Sequence, residues 1–222
     1  MRYKGIIFDF NGTLFWDTDL HNEAWINFAS NHGQKLTDEE LKTKLHGKVN
    51  KDILEYLFNK KMEDGLVQDY ANEKEHLYRE LAIKNKHLLE LAPGAIDFIN
   101  ELNKNNIPIA IATSSDKSNV DFYHKIFNLN QWFPDEKIIY HDGKMEGKPA
   151  PDIFIRALKR LNMEPGDCIV IEDTINGIKA AQNAKIGKII LIQSGNHVGV
   201  SDFEEIQIIK DFKGMDVNVL KK

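Results

Sequence analysis

A single cysteine, Cys168, stands among the 222 residues. One cysteine excludes an internal disulfide, and its apolar neighbours predict a buried core thiol. No apolar run approaches the roughly 20 residues that cross a bilayer, so no membrane partner is expected. A basic surplus is also missing: 34 acidic against 29 basic side chains leave a net charge of −5. That balance argues against nucleic acid as a partner. Internal repeats and low-complexity tracts are absent. The opening Met1-Arg2-Tyr3-Lys4-Gly5 runs straight into an apolar strand pattern, which predicts no signal peptide. These absences together predict a cytoplasmic protein, expected to be a monomer. Its 42% hydrophobic and 28% charged residues suit a globular chain with a substantial core.

What is present divides into two rhythms. A short apolar strand leads to Asp9, then Asn11, Gly12 and Thr13, where Asn-Gly also reads as an ordinary turn pair. Residues 17 to about 90 then carry helical spacing throughout. Leu20, Ala24, Trp25, Phe28 and Ala29 recur on one stripe. Thr37 and Glu40 form a capping box ahead of Leu41 and Leu45. Asn50 is placed to cap a helix bearing Ile53, Leu54, Leu57 and Phe58. A longer helix follows with Tyr70, Lys74, Leu77, Tyr78 and Leu81 on one side. This is the pattern of about four helices inserted after the first strand.

From Leu91-Ala92-Pro93-Gly94 onward, helix and strand alternate. Strands are predicted at 107–113, about 137–140, 167–173, 188–192 and 206–209. Helices run between them, one over 152–161 and another capped by Ser115 or Asp116. Such alternation predicts a mostly parallel sheet with helices on both faces.

Three of these strands end in chemistry. The first ends at Asp9, the second at Thr113 and Ser114, and a later one at Glu172-Asp173. Lys148 lies in the loop before helix 152–161. Carboxylates at two strand ends make an oxygen-rich site suited to Mg²⁺, which takes few carboxylates plus water and phosphate oxygens. Thr113 and nearby backbone amides are placed to hold phosphate oxygens, with Lys148 balancing charge. Taken singly, each has a plainer explanation, Lys148 as a solvated lysine and Thr113 as a helix cap. Their joint order along the chain favours a site.

With Asp9-Phe10-Asn11-Gly12-Thr13, Ile109 to Thr113, Lys148 to Phe154 and Glu172 to Gly177 in this order, the chain resembles the haloacid dehalogenase-like superfamily. The resemblance is to its phosphatase and β-phosphoglucomutase branch. It implies an α/β fold, a three-layer Rossmann-like core of residues 1–16 and 91–222 with a mostly parallel sheet. An all-helical cap of residues 17–90 would be inserted, with a hinge near 14–17 and 90–93. It also implies that Asp9 attacks phosphorus to form an aspartyl-phosphate. Mg²⁺ would be held by Asp9, the backbone carbonyl of Asn11 and Asp173, with Glu172 close by or binding through water. Thr113, the Ser114 amide and Lys148 would hold the phosphoryl group, bordered by Gly12 and Thr13. His21, His46, Lys48 and Lys74 of the cap are expected to meet the substrate.

The pattern is broken at two places. The family's second aspartate, two residues after the nucleophile, is Asn11 here, which keeps the carbonyl ligand but cannot exchange a proton. Acid-base catalysis commonly contributes about 10²–10⁴-fold, so slow turnover is expected unless another group substitutes. Asp17 and His21 are the nearest candidates, although His21 also reads as a packing residue. Asn11-Gly12 is also a dipeptide prone to deamidation. In the loop Leu45 to Asp52, the arginine that holds a second phosphate in the mutase branch is matched by Asn50. Lys48 or Lys51 would have to compensate, without a guanidinium's bidentate geometry. Lys74, Tyr78 and Arg79 read either as a site-facing stripe or as a solvated helix face. The expected activity is therefore hydrolysis of a small phosphorylated metabolite such as a sugar phosphate. A phosphosugar mutase and a catalytically weakened phospho-ligand-binding protein are the alternatives.

Overall fold

A computed structural model of the chain describes residues 2–193 and 206–221. The remaining parts of the expected core, Met1, residues 194–205 and Lys222, lie outside the described residues. Among the described residues six strands form one sheet: β1 Gly5–Phe8, β2 Ile109–Ala112, β3 Ile138–Ile139, β4 Cys168–Glu172, β5 Lys188–Ile192 and β6 Gln207–Ile209. Their order is β3-β2-β1-β4-β5-β6, and every pairing is parallel. The order runs outward in both directions from the β1/β4 pair. This is the switch point beside which open α/β sheets place their ligands, outside the carboxyl ends of the strands.

The inner strands are near-continuous apolar runs because both faces are covered, while the edge strand β6 is largely exposed. Ile6, Phe8, Ile109, Ile111, Ile169 and Ile171 project to one side. There they meet Phe98, Ile99 and Leu102 of α5 (Ala95–Lys104) and Val120 and Tyr123 of α6 (Lys117–Phe127). Ile7, Ala110, Ala112, Cys168 and Val170 face the other way, onto α7 (Asp152–Leu161) and α8 (Ile175–Asn183). Cys168 is buried, as its neighbours predict, and burial pushes its thiol up to about 12.

Between β1 and α5 lie α1 (Thr18–Asn31), the short α2 (Asp38–Glu40) leading into a π-helical turn (Leu41–Leu45), α3 (Asn50–Leu57) and α4 (Asp64–Lys84). They enclose a cluster of their own, with Trp25, Phe28, Leu41, Leu54 and Ala71. The Thr37–Glu40 capping box forms as the sequence predicts, and Asp116 caps α6. Asn50 does not cap α3: Val49 holds that position, and the Asn50 side chain turns to Glu75 instead. The buried stripe of α4 is also displaced from the expected one, running through Ala71, Lys74, Glu75, Tyr78 and Ala82. Lys74 and Tyr78 lie on the expected stripe; the buried charge that it does not include is Glu75. The connections into and out of this region lie side by side, Phe15 bridging Leu91 and the Ala92 amide donating to Leu14 at 2.8 Å.

Candidate active site

The register of the central strands builds the site. Phe8 pairs with Ile171, and the Asp9 amide donates to the Ile171 carbonyl at 2.9 Å. The chain ends of β1 and β4 therefore leave the sheet together, carrying Asp9 beside Glu172 and Asp173. One oxygen from each of these carboxylates lies within 4.8 Å of the others. Lys148 reaches in from its loop, 2.6 Å from Asp9 Oδ1 and 2.5 Å from Glu172 Oε1. It is buried, not solvated.

The electrostatics of this group are lopsided. Burial would lower Lys148, but Asp9 and Glu172 outweigh it and hold the ammonium charged, above its ordinary value. Burial raises Asp9; Lys148 opposes and Glu172 adds to the rise, leaving the carboxyl at about 7. Burial likewise raises Asp173 well above the carboxylate range, with Glu172 and Asp9 adding to it. Fully ionised, the three carboxylates would outnumber the one ammonium by two negative charges, which a divalent cation would balance; without one, the raised Asp9 and Asp173 carboxyls hold protons instead. The donors are unequal. Glu172 Oε2 already accepts from the amides of Asp173 and Thr174 and the Thr174 hydroxyl, and its Oε1 takes Lys148. Asp173 accepts from Thr13 at a longer 3.2 Å. A cation here would find Asp9 and Asp173 less committed than Glu172, whose bonds hold the turn.

Two glycines make this crowding possible. Gly12 has φ +80°, and a Cβ there would stand 2.1 Å from Asp173 Oδ2. Gly177 lies on α8, where a Cβ would meet Glu172 Oε1 at 1.8 Å. Neither position admits a side chain while the carboxylates hold their places.

Asn11 is not a vacancy in a catalytic pair but a fully used amide. Its Nδ2 donates to Asp17 Oδ2 and to the Tyr123 hydroxyl, both at 2.7 Å. Its Oδ1 accepts from Thr113 at 3.1 Å and from Ser115 at 2.9 Å. Asp17 Oδ2 can only accept, and that fixes which way the amide points. Tyr78 donates to the same Asp17 oxygen at 2.5 Å. Burial, then the Asp17 charge, pushes both Tyr78 and Tyr123 well above the ordinary phenol value, so each remains a donor.

A cleft of about 110 Å³ opens above these groups. Asp9, Asn11, Thr113, Ser114, Glu172 and Asp173 line its floor, and His21, His46, Lys48, Asn50, Lys74 and Glu75 its opposite wall. Gly12, Thr13 and Lys148 are not on its surface. Thr13 is buried against Asp173, Lys148 lies beneath the carboxylates, and the Gly12 amide donates to Phe15 at 2.6 Å. His21 stacks on Tyr78 with ring centroids 3.8 Å apart. Its Nε2 is 3.3 Å from Asp17 Oδ2 and 3.4 Å from Asn11 Nδ2, and its Nδ1 lies 2.8 Å from Lys74 Nζ. The solvated-face reading of α4 does not hold, since Lys74 and Tyr78 are buried. Lys51 pairs with Asp64 at 2.8 Å, away from the cleft. His46 is bound to Asn22 at 3.0 Å, and burial lowers its basicity.

Ser115, Tyr123, Glu75 and Asn119 take part without having been foreseen. Ser115 follows the Thr113-Ser114 pair and was readable as its continuation. Tyr123 lies on the apolar stripe of α6, where only its hydroxyl distinguishes it from a core ring. Glu75 and Asn119 meet across two helices that the sequence separates by 44 positions, and no local pattern announces them.

The haloacid dehalogenase-like hydrolase family model matches residues 3–185. Hexitol phosphatase A of Escherichia coli is 33% identical over 178 residues, covering 80% of this chain and 78% of that protein. A phosphorylated carbohydrates phosphatase of Thermotoga maritima is 28% identical, covering 84% and 83%. The crystal structure of a HAD hydrolase, family IA, variant 3, from Entamoeba histolytica superposes with a TM-score of 0.86 at 38% identity. It covers 99% of this chain and 100% of that one.

Proposed function

The chain belongs to the haloacid dehalogenase-like hydrolases, and from that premise we propose that it is a Mg²⁺-dependent phosphatase of a small sugar or sugar-alcohol phosphate. One observation carries the reading. Asp9, Glu172 and Asp173 converge within 4.8 Å at the floor of a cleft, with Lys148 beneath them, an arrangement that suits a metal and a phosphoryl group together. The names of the similar phosphatases point to carbohydrate phosphates as the substrate class.

In this mechanism an Asp9 oxygen attacks phosphorus, the ester P–O bond breaks and an aspartyl-phosphate forms. Water then attacks the phosphorus, releasing phosphate and restoring the Asp9 carboxylate. Asp9, the Asn11 carbonyl and Asp173 would hold Mg²⁺, which when bound neutralises phosphoryl charge. Lys148 keeps Asp9 aimed and partly balanced. The Ser114 amide and Thr113 border the transferring group. The leaving alkoxide needs a proton that Asn11 cannot give. His21, which lines the cleft 3.4 Å from Asn11 Nδ2, lies 3.3 Å from Asp17 Oδ2 and stacks on Tyr78, is the imidazole that would supply it. Residues 17–90 act as a cap over a core of 1–16 and 91–222, and the protein works as a cytoplasmic monomer.

The engaged Asn11 amide favours one other reading, a protein that binds phosphorylated ligands and turns them over slowly. The test is phosphate release from a panel of hexose and pentose phosphates, with and without Mg²⁺, for the parent, Asp9→Ala and Asn11→Asp. Mg²⁺-dependent release by the parent that vanishes in Asp9→Ala supports the phosphatase. Activity confined to Asn11→Asp supports the binding protein. Interconversion of sugar phosphates without phosphate release would transfer the assignment to a mutase.

A further inference from the structure

The cap-side wall of the cleft carries a carboxylate that the phosphoryl chemistry does not use. Glu75 lines the cleft yet is only 3% exposed, and three donors close on it. Its Oε1 accepts from Asn50 Nδ2 at 2.9 Å and Lys74 Nζ at 3.0 Å. Its Oε2 accepts from Asn119 Nδ2 at 2.7 Å. Lys74 is held in turn by His21 and lies 4.9 Å above the Trp25 ring.

We propose that Glu75 is the specificity-determining residue of this cleft, admitting esters with one phosphoryl group and rejecting those with a second. The proposal rests on the phosphatase reading for its substrate class. Two physical arguments support it. A phosphate bound against the cap would need donors, and the cleft-lining Asn50 and Lys74 are both turned onto Glu75, which Asn119 holds from behind. The charge balance argues the same way. Asp9, Glu75, Glu172 and Asp173 stand against Lys48, Lys74 and the underlying Lys148. One divalent cation and one phosphoryl dianion leave that balance unchanged, whereas a second dianion adds two negative charges within about 110 Å³. The count already includes Lys48, which makes no ion pair among the described residues. Burial would raise Glu75, but Lys74, His21 and the two amides outweigh it and hold it at about 2. It is an anion at any working pH.

The test compares glucose 6-phosphate with glucose 1,6-bisphosphate, in the presence of Mg²⁺. Dissociation constants come from calorimetry and kcat/KM from phosphate release, for the parent, Glu75→Gln and Asn50→Lys. The parent should bind the bisphosphate about 10- to 100-fold more weakly than the monophosphate, like charges facing each other across the cleft. Glu75→Gln removes the charge and frees donors, so the gap should close to about 3-fold or less, chiefly through KM. Asn50→Lys offsets the same charge while keeping Glu75, and must narrow the gap too; it decides the matter should Glu75→Gln fail to fold. Equal affinity of the parent for the two ligands overturns the proposal, as does a gap unchanged in the folded variants. If the parent releases phosphate from neither ester nor from any member of the hexose and pentose phosphate panel, the phosphatase reading fails, while the binding ratio still tests Glu75.

Discussion

Replacing Asn11 by Asp exchanges the amide that bonds Asp17 at 2.7 Å for a second carboxyl. If both ionised at that distance, with an effective dielectric constant of about 20, their repulsion would be about 6 kcal/mol. The alternative is for the pair to keep one proton. From an ordinary aspartate pKa of about 3.9, holding that proton costs about 1.4 kcal/mol per pH unit, hence about 1.5 kcal/mol at pH 5 and between 5 and 6 at pH 8. A carboxyl-to-carboxylate hydrogen bond returns about 1.5–3 kcal/mol. The variant should therefore be near parental stability at pH 5 and about 3 kcal/mol weaker at pH 8. The sign follows from linkage. The folded pair has a pKa raised above the unfolded one, so its contribution is fully present below about pH 4 and is lost as pH rises through the folded value. For a domain of this size, the deficit lowers the melting temperature by about 6–12 °C. Thermal melts at the two pH values, each against the parent, read it. A melting difference that is the same at pH 5 and pH 8 would refute the reasoning. The retained proton is also what the reaction lacks, so the less stable variant should be the faster one, by up to about 10²–10⁴-fold.

Lys148→Met leaves Asp9, Glu172 and Asp173 buried together without their ammonium. A loss of about 3–5 kcal/mol is expected in urea denaturation, and millimolar Mg²⁺ should restore part of it by binding the folded state; parental stability without Mg²⁺ would contradict the charge balance described. Asn11-Gly12 should resist deamidation in the native protein, because both donors of the Asn11 amide and the Gly12 amide are engaged. Peptide mapping after incubation at pH 8 should find Asn11 intact when folded and converted when unfolded, and equal conversion would show the network to be loose.

The core was legible because its signals are short-range. Parallel strands buried on two faces read as apolar runs, and Asp9, Thr113 and Glu172-Asp173 each sit at the end of one. Strand order then brings them together without any further information in the side chains. The inserted helices were legible as helices for the same reason, since their spacing is a local property. Their buried faces were only partly so. Helical spacing puts Tyr70, Lys74, Leu77, Tyr78 and Leu81 on one side of α4; Lys74 and Tyr78 are buried as placed, but the buried face also takes in Ala71, Glu75 and Ala82. A buried ion pair costs desolvation and is tolerated only where hydrogen bonds complete it. Those bonds come from Asn50, His21 and Asn119, on three other elements.

The same reasoning changes the meaning of Asn11. Against a family pattern, an asparagine in place of the second aspartate reads as a deletion of function. Its four hydrogen bonds read otherwise, because each neighbour has the polarity an amide requires: two hydroxyl donors at its oxygen, a carboxylate and a phenol oxygen at its nitrogen. An aspartate would match the first pair and repel the Asp17 charge. Asp17 Oδ1 has no hydrogen-bond partner among the described residues, so the pocket has already committed its donors to the other oxygen. Restoring the aspartate alone therefore trades stability for proton transfer. Restoring both should require removing the Asp17 charge as well, by Asp17→Asn in the Asn11→Asp background. If that double variant lost the pH-dependent instability but remained as slow as the parent, the missing proton would not be what limits the reaction.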